Sequence, residues 1–162
     1  MDRDGVLNLI KEKQYVSKIS EFVWMPGAKK AIKILREKGY KIIVVSNQSG
    51  IARGFFSITA VRKLHFYIKK ECKIYGAKID DIYFCPYHDK GIISKYTKRS
   101  SLRKPQNGMF KLAQKKWNID LKYSFMIGDK NSDMLFAKKS KIKGYLFKEK
   151  NLYLFVKKKI LN

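Results

Sequence analysis

Lys41-Ile42-Ile43-Val44-Val45-Ser46 (KIIVVS) is the stretch on which the fold turns. It is short, apolar and β-branched, the pattern of a strand buried on both faces. Upstream, Pro26-Gly27 opens a segment in which Ala28, Ala31, Ile32 and Leu35 recur at helical spacing. Pro26 suits its first turn and Gly39 its stop. Downstream, Ser57 is a candidate N-cap for a helix with Val61, Leu64, Ile68 and Cys72 on one face, ended by Gly76. Further strands are predicted at Ile82 to Cys85, Ser124 to Ile127 and Gly144 to Phe147. Helices are predicted from about Gly108 to Trp117 (Met109, Leu112, Ala113 and Trp117 inward), Ser132 to Lys139 and Leu152 to Lys159. Pro86 to Leu102 is polar, basic and without a period, a long loop of the kind that often carries function. Strands alternating with helices predict an α/β fold, a parallel sheet flanked by helices in three layers. With no boundary or repeat, residues 1–162 read as a single domain.

Composition narrows the function classes. At 45% hydrophobic residues, disorder is excluded. The longest apolar runs are far too short to cross a bilayer. Met1 leads straight into Asp2-Arg3-Asp4, with no leader pattern, and Cys72 and Cys85 are too few for a disulfide framework. A cytoplasmic setting is the expectation. The formal charge of +24 raises nucleic acid as a partner. Against that, six of the 37 basic residues are Arg, the rest are Lys, and they spread from Lys11 to Lys159, as a composition bias would produce. Either way the field attracts phosphorylated ligands.

Four segments carry candidate chemistry. Asp2-Arg3-Asp4-Gly5-Val6-Leu7-Asn8 offers two carboxylates and a glycine turn, which can divide nucleophile and acid/base duties; a surface acidic turn would look similar. Ser46-Asn47-Gln48-Ser49-Gly50, just after a strand, offers a hydroxyl and backbone N–H groups to phosphate oxygens, or is an ordinary turn. Arg103-Lys104-Pro105 offers two phosphate-binding cations. Gly128-Asp129-Lys130-Asn131-Ser132-Asp133, after another strand, offers a hard oxygen ligand for Mg²⁺, or caps a helix. Ligands of such sheets sit beyond the carboxyl ends of the strands, where Ser46, Cys85 and Asp129 fall. The first motif would join them if a strand preceded it, but here the motif stands at the start of the sequence.

Taken in order, DRDGVLN, VVSNQSGIARG, RKPxxGM and MIGDKNSDM resemble the four motifs of the haloacid dehalogenase (HAD) superfamily of phosphotransferases. The resemblance runs from Asp2 to about Phe147. It points to the branch that holds the heptose 1,7-bisphosphate 7-phosphatases and the histidinol-phosphate phosphatases. It implies a Rossmann-like (HAD) fold with no large cap domain, its first strand truncated here. It also implies Asp2 as nucleophile, Asp4 as acid/base, and Ser46 and Lys104 as holders of the phosphoryl oxygens. Mg²⁺ would be held by Asp2, Asp129 and the backbone carbonyl of Asp4, with Lys130 and Asp133 orienting that shell. Asp4 would need its proton held by burial or by nearby negative charge. Asn47, Gln48, Ser49 and Arg103 match substrate-contacting positions, and Tyr15 resembles one near the sugar, although about two extra residues lie before it within Leu9 to Lys13.

The substrate implied is a small phosphorylated sugar or related metabolite, with D-glycero-D-manno-heptose 1,7-bisphosphate first and histidinol phosphate second. A nucleic-acid 3′-phosphatase and a degenerate, non-catalytic binding protein stay open as rivals. A monomer is expected. Relatives carry a structural zinc on the loop before the Arg-Lys motif. Here Tyr87 stands at one ligand position, His88 comes one place late, and Ser100-Ser101-Leu102 replaces the closing cysteines. Cys85 and His88 alone cannot complete a tetrahedral site, so no zinc is expected and the loop should be more mobile.

Overall fold

The computed structural model describes residues 1–10 and 15–161. Among them α1 (Ala28–Glu37), β1 (Ile43–Asn47), α2 (Ile58–Ile74), β2 (Asp81–Cys85), α3 (Gly108–Lys116), β3 (Phe125–Gly128), α4 (Asn131–Lys139), β4 (Lys143–Leu146) and α5 (Leu152–Lys159) follow in chain order, with 3₁₀ turns at Ile19–Glu21 and Ser94–Tyr96. β1 pairs with β2 and β3 with β4, both in parallel. Between the two pairs lie Met1 and Asp2. The Met1 amino group donates to Ile43 O (2.8 Å), Val45 N–H donates to Met1 O (2.9 Å), and Asp2 N–H donates to Ile127 O (2.9 Å). These two residues bridge the two pairs through backbone bonds, so that Met1 and Asp2 lie between β1 and β3 in the spatial order β2-β1-β3-β4.

The sheet is covered on both faces, as continuous β-branched strands require. Alternation along each strand sends Val44 and Ile127 into one core and Val45 and Met126 into the other. The first core holds α1, α2 and α5 through Ala31, Leu35, Leu64, Ile68, Leu152 and Val156. The second holds α3 and α4 through Met109, Phe110 and Phe136. This is the expected three-layer α/β architecture.

Local signals behave largely as expected. Ser57 caps α2, its Oγ accepting from Ala60 N–H (3.1 Å). All four residues assigned to the inner face of α1, and all four of α2, are buried. Two readings need correction. Pro26 lies outside the first turn of α1, whose N-cap is Gly27 at φ +75°, a left-handed conformation that glycine tolerates. Leu112 of α3 is 40% exposed, and Phe110 takes the inward place. The Pro86–Leu102 stretch is tied to the turn after β1: Ile92 and Ile93 N–H both donate to Ala52 O, and Arg53 contacts His88. Among the described residues, no helix is long and apolar enough to cross a membrane.

Candidate active site

Asp2 and the carboxyl ends of β1 and β3 converge on one buried cluster of charge. Lys104, 3% exposed, reaches in from the loop before α3. Its Nζ lies 2.9 Å from Asp2 Oδ1, 2.6 Å from Asp133 Oδ1 and 2.9 Å from Val45 O. Burial pulls the Lys104 ammonium down, but Asp2 and Asp133 outweigh it and hold the group above the usual lysine value. Burial pushes the Asp2 carboxyl up to about 6, against the pull of Lys104. Asp2 Oδ1 also accepts from Arg3 N–H (2.7 Å), which leaves Oδ2 as the oxygen with no hydrogen-bond partner among the described residues.

Asp129 sits beside Asp2 at the end of β3. One carboxylate oxygen from each of Asp2, Asp129 and Asp133 falls within a 4.8 Å group. Burial raises the Asp129 carboxyl above the ordinary range. Its Oδ1 is buried with no hydrogen-bond partner among the described residues, and buried carboxylate oxygens rarely go unpaired. Hard oxygens left over in this way fit a small divalent cation. Gly5 at φ +82° is what lets Asp129 come so close, because a Cβ there would run into the Asp129 carboxylate. Gly128 likewise admits Asp133, which is fully buried and whose Oδ2 accepts from Lys130 N–H (3.0 Å) at the start of α4. The Lys130 side chain itself is exposed, so its link to this shell is the backbone amide.

Asp4 faces a ring of donors. Arg3 Nη2 lies 2.8 Å from both oxygens, Arg3 Nε 3.0 Å from Oδ1, Asn8 Nδ2 3.1 Å from Oδ1 and Gln48 Nε2 2.8 Å from Oδ2. These contacts fix the orientation of the Asp4 carboxyl group. Arg3 is 1% exposed and is satisfied by Val16 O (2.7 Å) and by His65 Nε2 (3.3 Å). Burial and the Arg3 charge push His65 down to about 3, so the ring is neutral and can accept from Arg3.

Ser46 is buried, with its Oγ accepting from Gln48 Nε2 (2.9 Å), so Gln48 links Ser46 to Asp4. The Asn47 side chain is committed to the Lys104 backbone. Its Oδ1 accepts from Lys104 N–H (2.9 Å) and its Nδ2 donates to Lys104 O (3.0 Å). Tyr15 OH lies 3.5 Å from Ser49 Oγ, and its ring packs near Phe55 and Phe56. Arg103 Nη1 is buried without a partner among the described residues. The extra residues placed within Leu9 to Lys13, and Gln14, fall at residues 11–14, outside the described residues, apart from Leu9 and Ile10. Cys85 is buried, its thiol pushed up by burial and directed at Tyr87 O (3.8 Å), while His88 turns to Arg53 and Asp89.

All four motifs thus meet at one sheet edge. Sequence reasoning missed Arg3, Asn8 and His65. Arg3 and Asn8 stood inside a quoted motif, whereas His65 carried no signal beyond the buried face of α2.

Comparison with known proteins agrees with this geometry. The family described as polynucleotide kinase 3 phosphatase matches residues 1–146. The chain is 40% identical over 161 residues to the D-glycero-beta-D-manno-heptose-1,7-bisphosphate 7-phosphatase of Rhodopseudomonas palustris, covering 99% of this chain and 88% of that protein. It is 41% identical over 134 residues to the D-glycero-alpha-D-manno-heptose-1,7-bisphosphate 7-phosphatase of Photorhabdus laumondii, covering 83% and 72%. Among solved structures, D,D-heptose 1,7-bisphosphate phosphatase from B. bronchiseptica, complexed with magnesium and phosphate, matches with a TM-score of 0.80 and 25% identity, over 95% of this chain and 81% of that one. With the whole of its catalytic edge inside the matched region, the chain belongs to the polynucleotide kinase 3 phosphatase family, within the HAD-like phosphatases.

Proposed function

We propose that this protein is a magnesium-dependent phosphatase that removes the C7 phosphate of D-glycero-D-manno-heptose 1,7-bisphosphate through an aspartyl-phosphate on Asp2. One observation carries the reading: one carboxylate oxygen from each of Asp2, Asp129 and Asp133 lies within 4.8 Å of the others, and the buried Lys104 ammonium pairs with Asp2 and Asp133. The names of the curated relatives support the sugar, and they include both the alpha and the beta anomer.

Asp2 Oδ2 attacks phosphorus, and the bond from phosphorus to the sugar oxygen breaks. Asp4 gives its proton to that leaving oxygen. Water then attacks phosphorus, Asp4 recovers a proton from it, and the bond to Asp2 breaks to release phosphate. Lys104 and Ser46 hold the phosphoryl oxygens, and Arg103, with its unpaired Nη1, takes a further oxygen of the substrate. Asn47 fixes the loop that presents Lys104, Gln48 aims Asp4, and Tyr15 and Ser49 border the sugar. Asp2, Asp129 and the backbone carbonyl of Asp4 would hold Mg²⁺, with Asp133 and Lys130 orienting them. When bound, the cation offsets the repulsion between the Asp2 carboxylate and an anionic phosphate. A cytoplasmic monomer acting on a free metabolite is the setting this reading implies.

The test compares kcat/KM with Mg²⁺ on the heptose bisphosphate, histidinol phosphate and a 3′-phosphorylated oligonucleotide. The heptose should lead by at least about tenfold, which is about 1.4 kcal/mol of transition-state preference. The oligonucleotide arm matters because of the +24 charge and the name of the matching family. Its leading would replace the sugar reading. Turnover that survives Asp2→Asn or removal of the metal would end the mechanism itself.

A further inference from the structure

His65 is a buried polar side chain with no assigned task. Its ring sits on the inner face of α2, 6% exposed, and meets Phe84 of β2 edge-on (5.2 Å, 74°). Its Nε2 lies 3.3 Å from Arg3 Nη1, which has no other acceptor among the described residues. The remaining nitrogens of the guanidinium serve Asp4. Nε lies 3.0 Å from one carboxylate oxygen, Nη2 lies 2.8 Å from both, and Nη2 also reaches Val16 O (2.7 Å). A guanidinium is a rigid planar fork, so holding one end sets the aim of the other. Burial and the Arg3 charge push the His65 ring down to about 3, so it is neutral and Nε2 can accept. A carboxylate at this place would compete with Asp4 for the Arg3 charge. A neutral acceptor instead satisfies an N–H that is costly to leave unpaired at 1% exposure, and it leaves the charge to Asp4.

We propose that His65 is a positioning residue for the acid/base step: it anchors Arg3, and Arg3 aims the Asp4 carboxyl group at the leaving oxygen. The inference rests on the acid/base reading of Asp4 given above. As the bond from phosphorus to the sugar oxygen breaks, the Asp4 proton passes to that oxygen, and such a transfer needs the two oxygens within about 2.6–3.2 Å. Asn8 holds one oxygen of Asp4 and Gln48 the other, whereas Arg3 alone spans both. The aim of the carboxyl group therefore depends most on where the fork lies. Without His65 the fork can swing about its long stem, and a misplacement of about 1 Å costs up to about a hundredfold in rate. Val16 O still holds Nη2, so the loss expected here is smaller than that limit. His65 itself touches neither substrate nor cation ligand and acts only through Arg3.

The experiment compares kcat/KM, with Mg²⁺, on the heptose bisphosphate and on p-nitrophenyl phosphate. The sugar oxygen needs a proton to leave, and nitrophenolate does not. kcat/KM reports formation of the aspartyl-phosphate and omits the later water step, in which Asp4 serves both esters alike. His65→Phe keeps the ring packing and removes the acceptor. It should lower kcat/KM by about tenfold on the sugar and by less than about twofold on the nitrophenyl ester. His65→Gln, whose amide oxygen reaches as far as Nε2, should recover most of the loss. His65→Asn is too short to do so and should repeat the Phe result, which keeps the test decisive if the Phe variant fails to fold. Equal losses on the two esters, or no loss on either, would overturn the proposal, since a residue that only fills the core does not sort esters by their need for a proton. A Gln variant as impaired on the sugar as the Asn variant would overturn it too. Asp4→Asn separates the two levels of the argument. If it sorts the esters and the His65 variants do not, the positioning role alone falls; if it lowers both equally, the acid/base reading of Asp4 falls and the positioning role with it.

Discussion

Replacing Lys104 with methionine keeps most of the side chain's length and removes the one charge that two buried carboxylates share. The ammonium lies 2.9 Å from Asp2 and 2.6 Å from Asp133, with side-chain exposures of 8% and 0%. At an effective dielectric of about 20, each contact is an attraction of about 6 kcal/mol before desolvation is counted. Desolvation of the ammonium removes much of that gain, so the intact triad adds little net stability. Breaking it is another matter, because Lys104→Met leaves two anions stranded out of water, and loss of one partner from a buried pair costs about 3–5 kcal/mol. The assay is urea denaturation of metal-free protein at pH 7, run on Lys104→Met, Asp133→Asn and the double variant. Adding Asp133→Asn to Lys104→Met should recover part of the loss, giving a coupling of at least about 1 kcal/mol. A single-variant loss below about 1 kcal/mol, or strictly additive losses, would refute the shared-ion account.

Gly5→Ala should cost about 1–2 kcal/mol for its left-handed backbone alone and more for the Asp129 carboxylate it displaces. Mg²⁺ affinity measured by calorimetry should fall with it, whereas Gly39→Ala, with the same sign of φ and open space around it, should leave that affinity unchanged. Because Asp2 must shed a proton to serve a cation and its carboxyl titrates at about 6, apparent Mg²⁺ affinity should weaken by about tenfold per pH unit below that value and level off above it. His65 is neutral in the fold down to about 3 but titrates near 6.5 when unfolded. The unfolded chain therefore binds the extra proton, and stability drains as pH falls from 6.5 towards 3. His65→Gln should flatten that acid limb by up to about 1.4 kcal/mol per pH unit in urea titrations. Asp2 acts oppositely between about 4 and 6, where the folded state holds the proton and stability falls as pH rises, so the two effects are separable in the single variants.

Much of the frame was legible because β1 and β3 are buried on both faces and so announce themselves as unbroken apolar runs. The α5 bounds agree with expectation, and the β1 to β4 bounds lie within two residues of it. Leu112 misled because it stands three residues after Met109, where helical spacing places it on the buried face, whereas the core instead takes Phe110 beside Met109. Asp2, Asp4, Ser46, Lys104 and Asp129 could be picked out from strand-end position and motif order together. The Arg3 contact with His65 could not, since nothing local ties residues 62 positions apart, and a helix-face histidine between Leu64 and Ile68 reads simply as core. Asn47 was legible as a polar residue near the site, but not as the partner of the Lys104 peptide, which only the folded chain reveals.

That Asn47 peptide link has a mechanical consequence. A lysine on a free loop would have to be steered towards the phosphate at each turnover, at an entropic penalty. Here two reciprocal bonds weld the loop to the end of β1, so the ammonium travels with the sheet as one rigid body. The electric field that meets an incoming phosphate is already aligned before the substrate arrives, and none of the binding free energy is diverted into assembling it.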